Sequence, residues 1–329
     1  MDSTAIKRLA FDLTKNNVRD HTADEGSEVL RQALVDINGG ALFDMKKFRR
    51  NKIDLYEIIE ETIPVILNEV NRQSVFFNRL VEERNAKEGD RFDFVVPDNS
   101  EFVVAEIARG IATPRRQRIG EKRTVSVIPT SHALRIYEEF SRFMAGRINW
   151  NELVNSVANA FNNKLFEDIY AALSGITAST PGLNANYVYA GTYSEEEVLT
   201  RCEHVEAATH RTPVIYGTRS ALRKCTSAVI SDEAKSAYYN GGYYGKLAGV
   251  DMVYIPNIHR GNTDSFVFPD NKIWILAGDA RPIKYCTEGD VYMTDKMEGN
   301  DDMSIEFTMI SRYAVALIVG AKLGVCTFS

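Results

Sequence analysis

Residues able to do chemistry are sparse in this chain of 329 residues. The run Gly242-Tyr243-Tyr244-Gly245-Lys246-Leu247 resembles a phosphate-binding loop, in which backbone amides and a lysine hold a polyphosphate. Its spacing is two residues short of that pattern, and Leu247 stands where a magnesium-binding hydroxyl is needed. A glycine turn accounts for it. Cys202 and His204 are potential metal ligands, but two residues apart on a predicted helix they point to different sides. His21, His132, His204, His210 and His259 are scattered, and neither G-x-S-x-G nor H-E-x-x-H occurs. The sequence therefore predicts no catalytic residue, no metal and no cofactor.

The one concentrated charge is cationic. Arg115, Arg116, Arg118, Lys122 and Arg123 place five positive side chains within nine residues. Such a run can be a solvated loop, a nucleic-acid patch or a contact with carboxylates. Base stacking would want interleaved aromatic residues, and there are none. Mutual repulsion on an isolated loop favours an acidic surface on a neighbouring subunit. Two β-runs must carry this segment: GDRFDFVVPD from Gly89 to Asp98, and TVSVIPT from Thr124 to Thr130. Between them lie a second apolar run, NSEFVVAEIARG, and the cationic stretch. Long excursions in compact domains are uncommon and usually functional. The whole loop is expected to lie outside the core.

Around this loop the elements are ordinary. Residues 1 to about 52 read as an extended or partly helical arm, broken at Gly39-Gly40. Asp54 to Asn85 has a largely helical pattern that Pro64 must end or kink. A long helix is predicted from Asn149, a candidate cap, to about Leu173. Its apolar stripe is Leu153, Val157, Phe161, Leu165 and Ile169. From Pro181 helices and strands alternate. Ser194 and Glu197 form a candidate capping box, PVIYG (Pro213–Gly217) a strand, Thr218 a helix start with Leu222 and Cys225 inward, and Ser231 a third helix start. VDMVYIP (Val250–Pro256) is a further strand. FVFPDNKIWILAG and RPIKYCTEG carry three short strands, and an acidic loop, Asp295 to Asp302, precedes a long final strand pattern.

Composition sets the outer bounds. The length allows two domains, or one with a large insertion. Hydrophobic content of 44% and charged content of 26% suit a soluble globular protein. A net charge of −6 gives the chain as a whole no attraction for nucleic acid. Cys202, Cys225, Cys286 and Cys326 form no CxxC pair and read as reduced cysteines of a cytosolic product. No signal peptide is visible, and YAVALIVGAKLGV (Tyr313–Val325) is too short to span a bilayer and contains Lys322.

Several phrases are similar to one family. They are PDNSEFVVAEIARG and RRQRIG in the loop, IYEEFSRFMAGRINWNELV leading into the long helix, and FPDNKIWILAG near the end of the α/β region. Together with the order of elements, they resemble the major capsid proteins of tailed double-stranded DNA phages, the Hong Kong 97-type fold. The resemblance covers nearly the whole chain. It implies an α+β architecture: an N-terminal arm (1–52), a helical segment (53–88) and an extended β-hairpin loop (89–127). A peripheral domain (128–182 and 285–329) with a spine helix (149–173) and an α/β axial domain (183–284) complete it. The spine stripe would face the peripheral sheet, and the five cations would meet an adjacent subunit.

The resemblance also implies a function. Copies would assemble as hexamers and pentamers into an icosahedral head enclosing double-stranded DNA without sequence-specific binding. A shell needs obligate interfaces of about 2,000 Å² or more, which arms and loops laid across neighbours supply. Negative net charge suits a container that must release DNA. Implied partners are the chain itself and a portal protein, with a decoration protein as an optional addition that the sequence does not reveal, and no membrane. About 50 residues precede Lys52, so a separate scaffolding protein is expected rather than a fused segment. The expected place is the virion, assembled in host cytoplasm. An encapsulin-like nanocompartment shell shares the fold and is the alternative; an α/β enzyme is the second.

Overall fold

The computed structural model describes residues 28, 29, 31, 32, 35, 36, 50, 75–96, 116–118, 120–137, 150–177, 179–180, 183–225, 238, 241–261, 263–278, 280–296, 306–319 and 322–329. Their elements run α1 (Val75–Leu80), β1 (Val81–Ala86), β2 (Phe92–Val96), β3 (Arg123–Val127), β4 (Thr130–Tyr137), α2 (Trp150–Ser174), β5 (Val188–Gly191) and α3 (Glu195–Thr209). There follow β6 (Pro213–Gly217), α4 (Arg219–Lys224), β7 (Lys246–Leu247), β8 (Val250–Tyr254), β9 (Lys272–Ala277), β10 (Ile283–Lys296), β11 (Glu306–Leu317) and β12 (Gly324–Phe328). The class is mixed α+β.

Helix α2 has 25 residues, which makes it about 37 Å long. Val157, Phe161, Leu165, Ile169 and Leu173 recur every fourth residue, and all are buried. The side chain of Leu153 and the candidate cap Asn149 lie outside what is described. At the C-terminal end Gly175 N–H donates to Ala171 O at 3.3 Å, and Ile176 turns back into the core at 2% exposure.

The helix lies on a four-stranded sheet ordered β1-β10-β11-β4, in which β1 runs parallel to β10 and the other pairs are antiparallel. Leu165, Phe166 and Ile169 pack with Tyr285 of β10 and Tyr313 of β11 in one apolar cluster. A polar seam ties the same layers. Tyr313 Oη donates to Asp168 Oδ2 at 3.2 Å, Lys164 Nζ to Asp168 Oδ1 at 2.6 Å, and the His132 ring stacks on Tyr313 with centroids 3.8 Å apart. Burial, then the charge of Asp168, pushes the Tyr313 hydroxyl well above the ordinary phenol range.

A second sheet has the order β5-β12-β9-β6-β8-β7. Its central strands are apolar on both faces, the pattern of a sheet covered on both sides. On β9, Ile273 and Ile275 meet α3 and α4 through Val198, Cys202, Leu222 and Cys225. Trp274 and Leu276 of the same strand face the cluster shared with α1 and α2. The two sheets thus share one core.

The structure differs from several expectations. The helical pattern carried to Asn85 stops at Leu80, and β1 follows, because Val81–Ala86 pairs in register with Ile283–Glu288. Glu82, Glu83 and Arg84 favour helix locally, and a partner strand overrides them. The three short strands are instead β9 and the 14-residue β10, which continues to Lys296 into the expected acidic loop. Residues 285–329 do not stay together: β12 crosses to the second sheet, parallel to β5 and antiparallel to β9. Val325 and Cys326 fill its two faces. Ser194 stands at the N-cap of α3 but its side chain makes no cap bond, and the Glu197 carboxylate pairs with Arg201 one turn on. Thr218 does cap α4, accepting from Ala221 N at 3.2 Å. The expected helix start at Ser231, the kink at Pro64 and the helix preceding Val75 lie outside the described residues.

Candidate assembly interface

The excursion is rooted in a two-stranded antiparallel ribbon, β2 with β3, registered Phe92↔Val127, Phe94↔Val125 and Val96↔Arg123. Contrary to expectation, this root belongs to the core. Phe92, Phe94 and Val127 are buried against Cys286, Ile318, Ala86, Ala314 and Ala316. Strand alternation explains the fit. Tyr313, Val315 and Leu317 of β11 point toward the helix cluster, whereas Ala314 and Ala316 point to the ribbon. Small side chains there let two phenylalanines lie close to the sheet.

Charge closes over the apolar seat. The guanidinium of Arg84 sits 4.2 Å from the Phe94 ring centroid, and Lys284 Nζ sits 5.6 Å from it. Both cations are anchored by Glu82, through a 2.8 Å hydrogen bond from Arg84 Nε and one from Lys284 Nζ. Burial acts to raise the Glu82 carboxyl, but the hydrogen bonds from Lys284 and Arg84 prevail and hold it below the usual carboxylate range.

At the base of the ribbon the chain turns through residues 87–90, with Asp90 N–H donating to Lys87 O at 3.1 Å and Gly89 at φ +91°. A side chain would be strained at that φ. The Gly89 N–H donates to Glu288 Oε1 at 2.7 Å, and Glu288 is 5% exposed. Its Oε2 lies 3.2 Å from Arg312 Nη2 in an ion pair that lacks hydrogen-bond alignment. Arg312 Nη1 also lies 3.7 Å from Glu88. The register of β10 and β11 shifts between Glu288 and Tyr292, with Gly289 at φ +69°, and this bulge is where Glu288 sits.

The cationic segment is outside this seat. Arg116, Arg118, Lys122 and Arg123 are exposed, and Arg115 lies outside the described residues. Among the described residues of the segment, the ion pair is Arg118 with Glu121 at 3.5 Å, both above 80% exposed and so weakly coupled. The outer face of the ribbon is open as well: Val95 is 59% exposed, and Ile128 just beyond β3 is 79% exposed. The arrangement is a ribbon held rigidly at its root, presenting cations and apolar side chains outward.

The groups considered for chemistry have structural places. Lys246 pairs with Asp251 at 3.3 Å, Leu247 is buried, and Ala248 and Gly249 form the positive-φ turn into β8. The Cys202 side is buried while His204 packs beside Tyr187 with ring centroids 5.9 Å apart. Burial pushes the thiols of Cys202, Cys225 and Cys326 up to about 12 and that of Cys286 up to about 11, far from reactive thiolates. Among the described residues no three His, Cys, Asp or Glu side chains are placed to hold a metal. Among them also, no helix is long and apolar enough to cross a membrane. Sequence reasoning missed Glu82, Arg84, Lys284, Glu288 and Arg312. Gly89 and Glu288 are 199 residues apart, and no local pattern marks such a pair.

The family YonB, "SPbeta prophage-derived putative capsid protein YonB", matches residues 8–327. The chain belongs to this family of prophage-derived capsid proteins. Among solved structures it is similar to the satellite phage P4 procapsid including size determination (Sid) protein, at 9% identity over 86% of this chain and 98% of that one, with a TM-score of 0.49. It is also similar to the mature capsid of bacteriophage PhiM1, at 10% identity over 78% and 87% of the two chains and a TM-score of 0.48. A third is Microbacterium phage Oxtober96, at 15% identity over 78% and 91%, with a TM-score of 0.48. No curated protein matches the chain.

Proposed function

We propose that the chain is the major head protein of a tailed phage, with a Hong Kong 97-type fold. Its copies close as hexamers and pentamers into an icosahedral shell around double-stranded DNA. The observation that carries this reading is the capsid-family match over residues 8–327. The ribbon supports it physically. A seat that buries Phe92 and Phe94 while leaving Arg116, Arg118, Lys122 and Arg123 in solvent projects contact groups away from the subunit's own core. In this reading residues 128–182 with most of 285–329 form the peripheral domain, and 183–284 with β12 the axial one. The role is structural rather than enzymatic, and the place is the virion, after assembly in host cytoplasm. A scaffolding protein acts during assembly, a portal protein completes the head, and DNA is enclosed without sequence reading.

The test is assembly of the purified chain, alone and with its genomic neighbours, followed by negative-stain microscopy and sedimentation. Closed shells of uniform diameter are expected. A chain that stays monomeric under all these conditions, or shells that retain an enzyme cargo rather than a removable scaffold, would overturn the reading.

A further inference from the structure

The connection between β8 and β9 is built more firmly than a passive loop requires. Asn257 cross-braces its base: Nδ2 donates to Phe268 O at 2.9 Å, and Oδ1 accepts from Ile258 N at 3.1 Å and Phe268 N at 3.0 Å. Val267 N–H donates to Ile258 O at 2.9 Å, and Arg260 N–H to Ser265 O at 2.9 Å. Thr263 ties the tip, donating from its backbone and its hydroxyl to Arg260 O, each at 3.0 Å. Below the tip, Phe268 is 1% exposed and meets the rings of Phe76, Tyr170 and Trp274.

On this braced loop Phe266 is 62% exposed, its ring held against His259 with centroids 5.0 Å apart. A large aromatic fixed in water by a rigid support is pre-organised for contact, since little ordering remains to be done on binding. The flanking charges say what kind of contact. Arg260 and Asp264 are exposed, of opposite sign, and neither is ion-paired among the described residues. A surface for nucleic acid would carry cations alone. One cation and one anion beside an apolar ring can instead meet a second copy about a rotation axis. Arg260 of one copy then faces Asp264 of the next, and repeated head-to-tail contacts of that kind close rings.

We infer that the described residues 257–261 and 263–268 form a preformed contact between copies of this chain, with Phe266 as its buried anchor and Arg260 and Asp264 paired across the interface. The inference rests on the shell reading and names a surface that reading leaves open.

The experiment compares the full-length chain with Phe266→Ser, Phe266→Leu, Arg260→Glu, Asp264→Arg and the double reversal Arg260→Glu with Asp264→Arg. Circular dichroism checks each fold, and sedimentation measures the concentration at which particles form. Phe266→Ser should weaken each contact about tenfold or more, raising that concentration, while Phe266→Leu stays close to the unaltered chain. Each single charge reversal should impair assembly, and the double reversal should restore it. If the unaltered chain assembles and Phe266→Ser assembles equally well, or if the double reversal gives no recovery, the loop's role is overturned and the shell reading stands. If the unaltered chain never leaves the monomer, both fall.

Discussion

Gly89 and Glu288 meet through a 2.7 Å hydrogen bond from backbone amide to buried carboxylate, at the point where the ribbon leaves the four-stranded sheet. The same carboxylate faces Arg312, so one side chain fixes the turn into β2 and the bulge of β10. Glu288→Ala leaves the Gly89 amide without its acceptor and Arg312 with only the more distant Glu88. The expected loss is about 1–3 kcal/mol in urea unfolding, with faster hydrogen exchange at Gly89. Glu288→Gln keeps an acceptor and should lose less. Unchanged exchange at Gly89 in Glu288→Ala would mean that the bond does not hold the turn.

Glu82 makes the ribbon's seat sensitive to acid. Its folded pKa lies below the unfolded value, so its stabilisation is fully present above the ordinary carboxylate range and is lost as pH falls through the folded pKa. Its side chain is 29% exposed and that of Lys284 14%, which puts the pair near the upper end for solvent-screened pairs, on the order of 1 kcal/mol. Glu82→Gln should therefore be less stable than the unaltered chain at pH 7 and nearly equal to it at pH 3. Thermal unfolding at both pH values checks this; a gap that persists at pH 3 contradicts it.

Much of the scaffold was legible because it is written locally. The four-residue recurrence from Val157 to Ile169 gave the long helix, PVIYG gave β6 to the residue, and Thr218 gave the start of α4. What stayed hidden is long-range. Nothing local marks Arg84 and Lys284, which come together over Phe94 only because β1 pairs with β10. The loop reads as wholly external because its inward residues, Phe92 and Phe94, are separated by exposed Asp93, and only Ala314 and Ala316 reveal where they pack. Cys202, Cys225 and Cys326 look unrelated along the chain, yet three elements bring them into one cluster. Sheet order decides such matters, and periodicity within a segment carries no information about it.

Leu165 tests the placement of the helix. At 4% exposure it lies in the cluster with Tyr285 and Tyr313, so Leu165→Asp would bury a carboxylate among apolar side chains. A loss above about 4 kcal/mol is expected, seen as insoluble protein or absent helical signal, whereas Leu165→Ala should cost about 2–5 kcal/mol and remain folded. Soluble, normally assembling Leu165→Asp protein would show that α2 does not pack in this way.

The cationic segment separates folding from assembly. Arg116 and Arg118 are exposed, and Arg118 meets only the equally exposed Glu121 among the described residues, so neither contributes much to the subunit's own stability. In a shell, the same guanidinium groups can form bidentate pairs with a neighbour's carboxylates, which are stronger and more specific than exposed pairs. Single substitutions should be mild, each removing about 0–1 kcal/mol. Reversing both, as Arg116→Glu with Arg118→Glu, sets like charges against an acidic neighbour and should sharply reduce particle yield. The seat of Phe92 and Phe94 is untouched, so circular dichroism and the unfolding midpoint of the monomer should not change. Particle counts beside those two measurements check it: full assembly removes the segment from the interface, and a lost folded signal places it in the core.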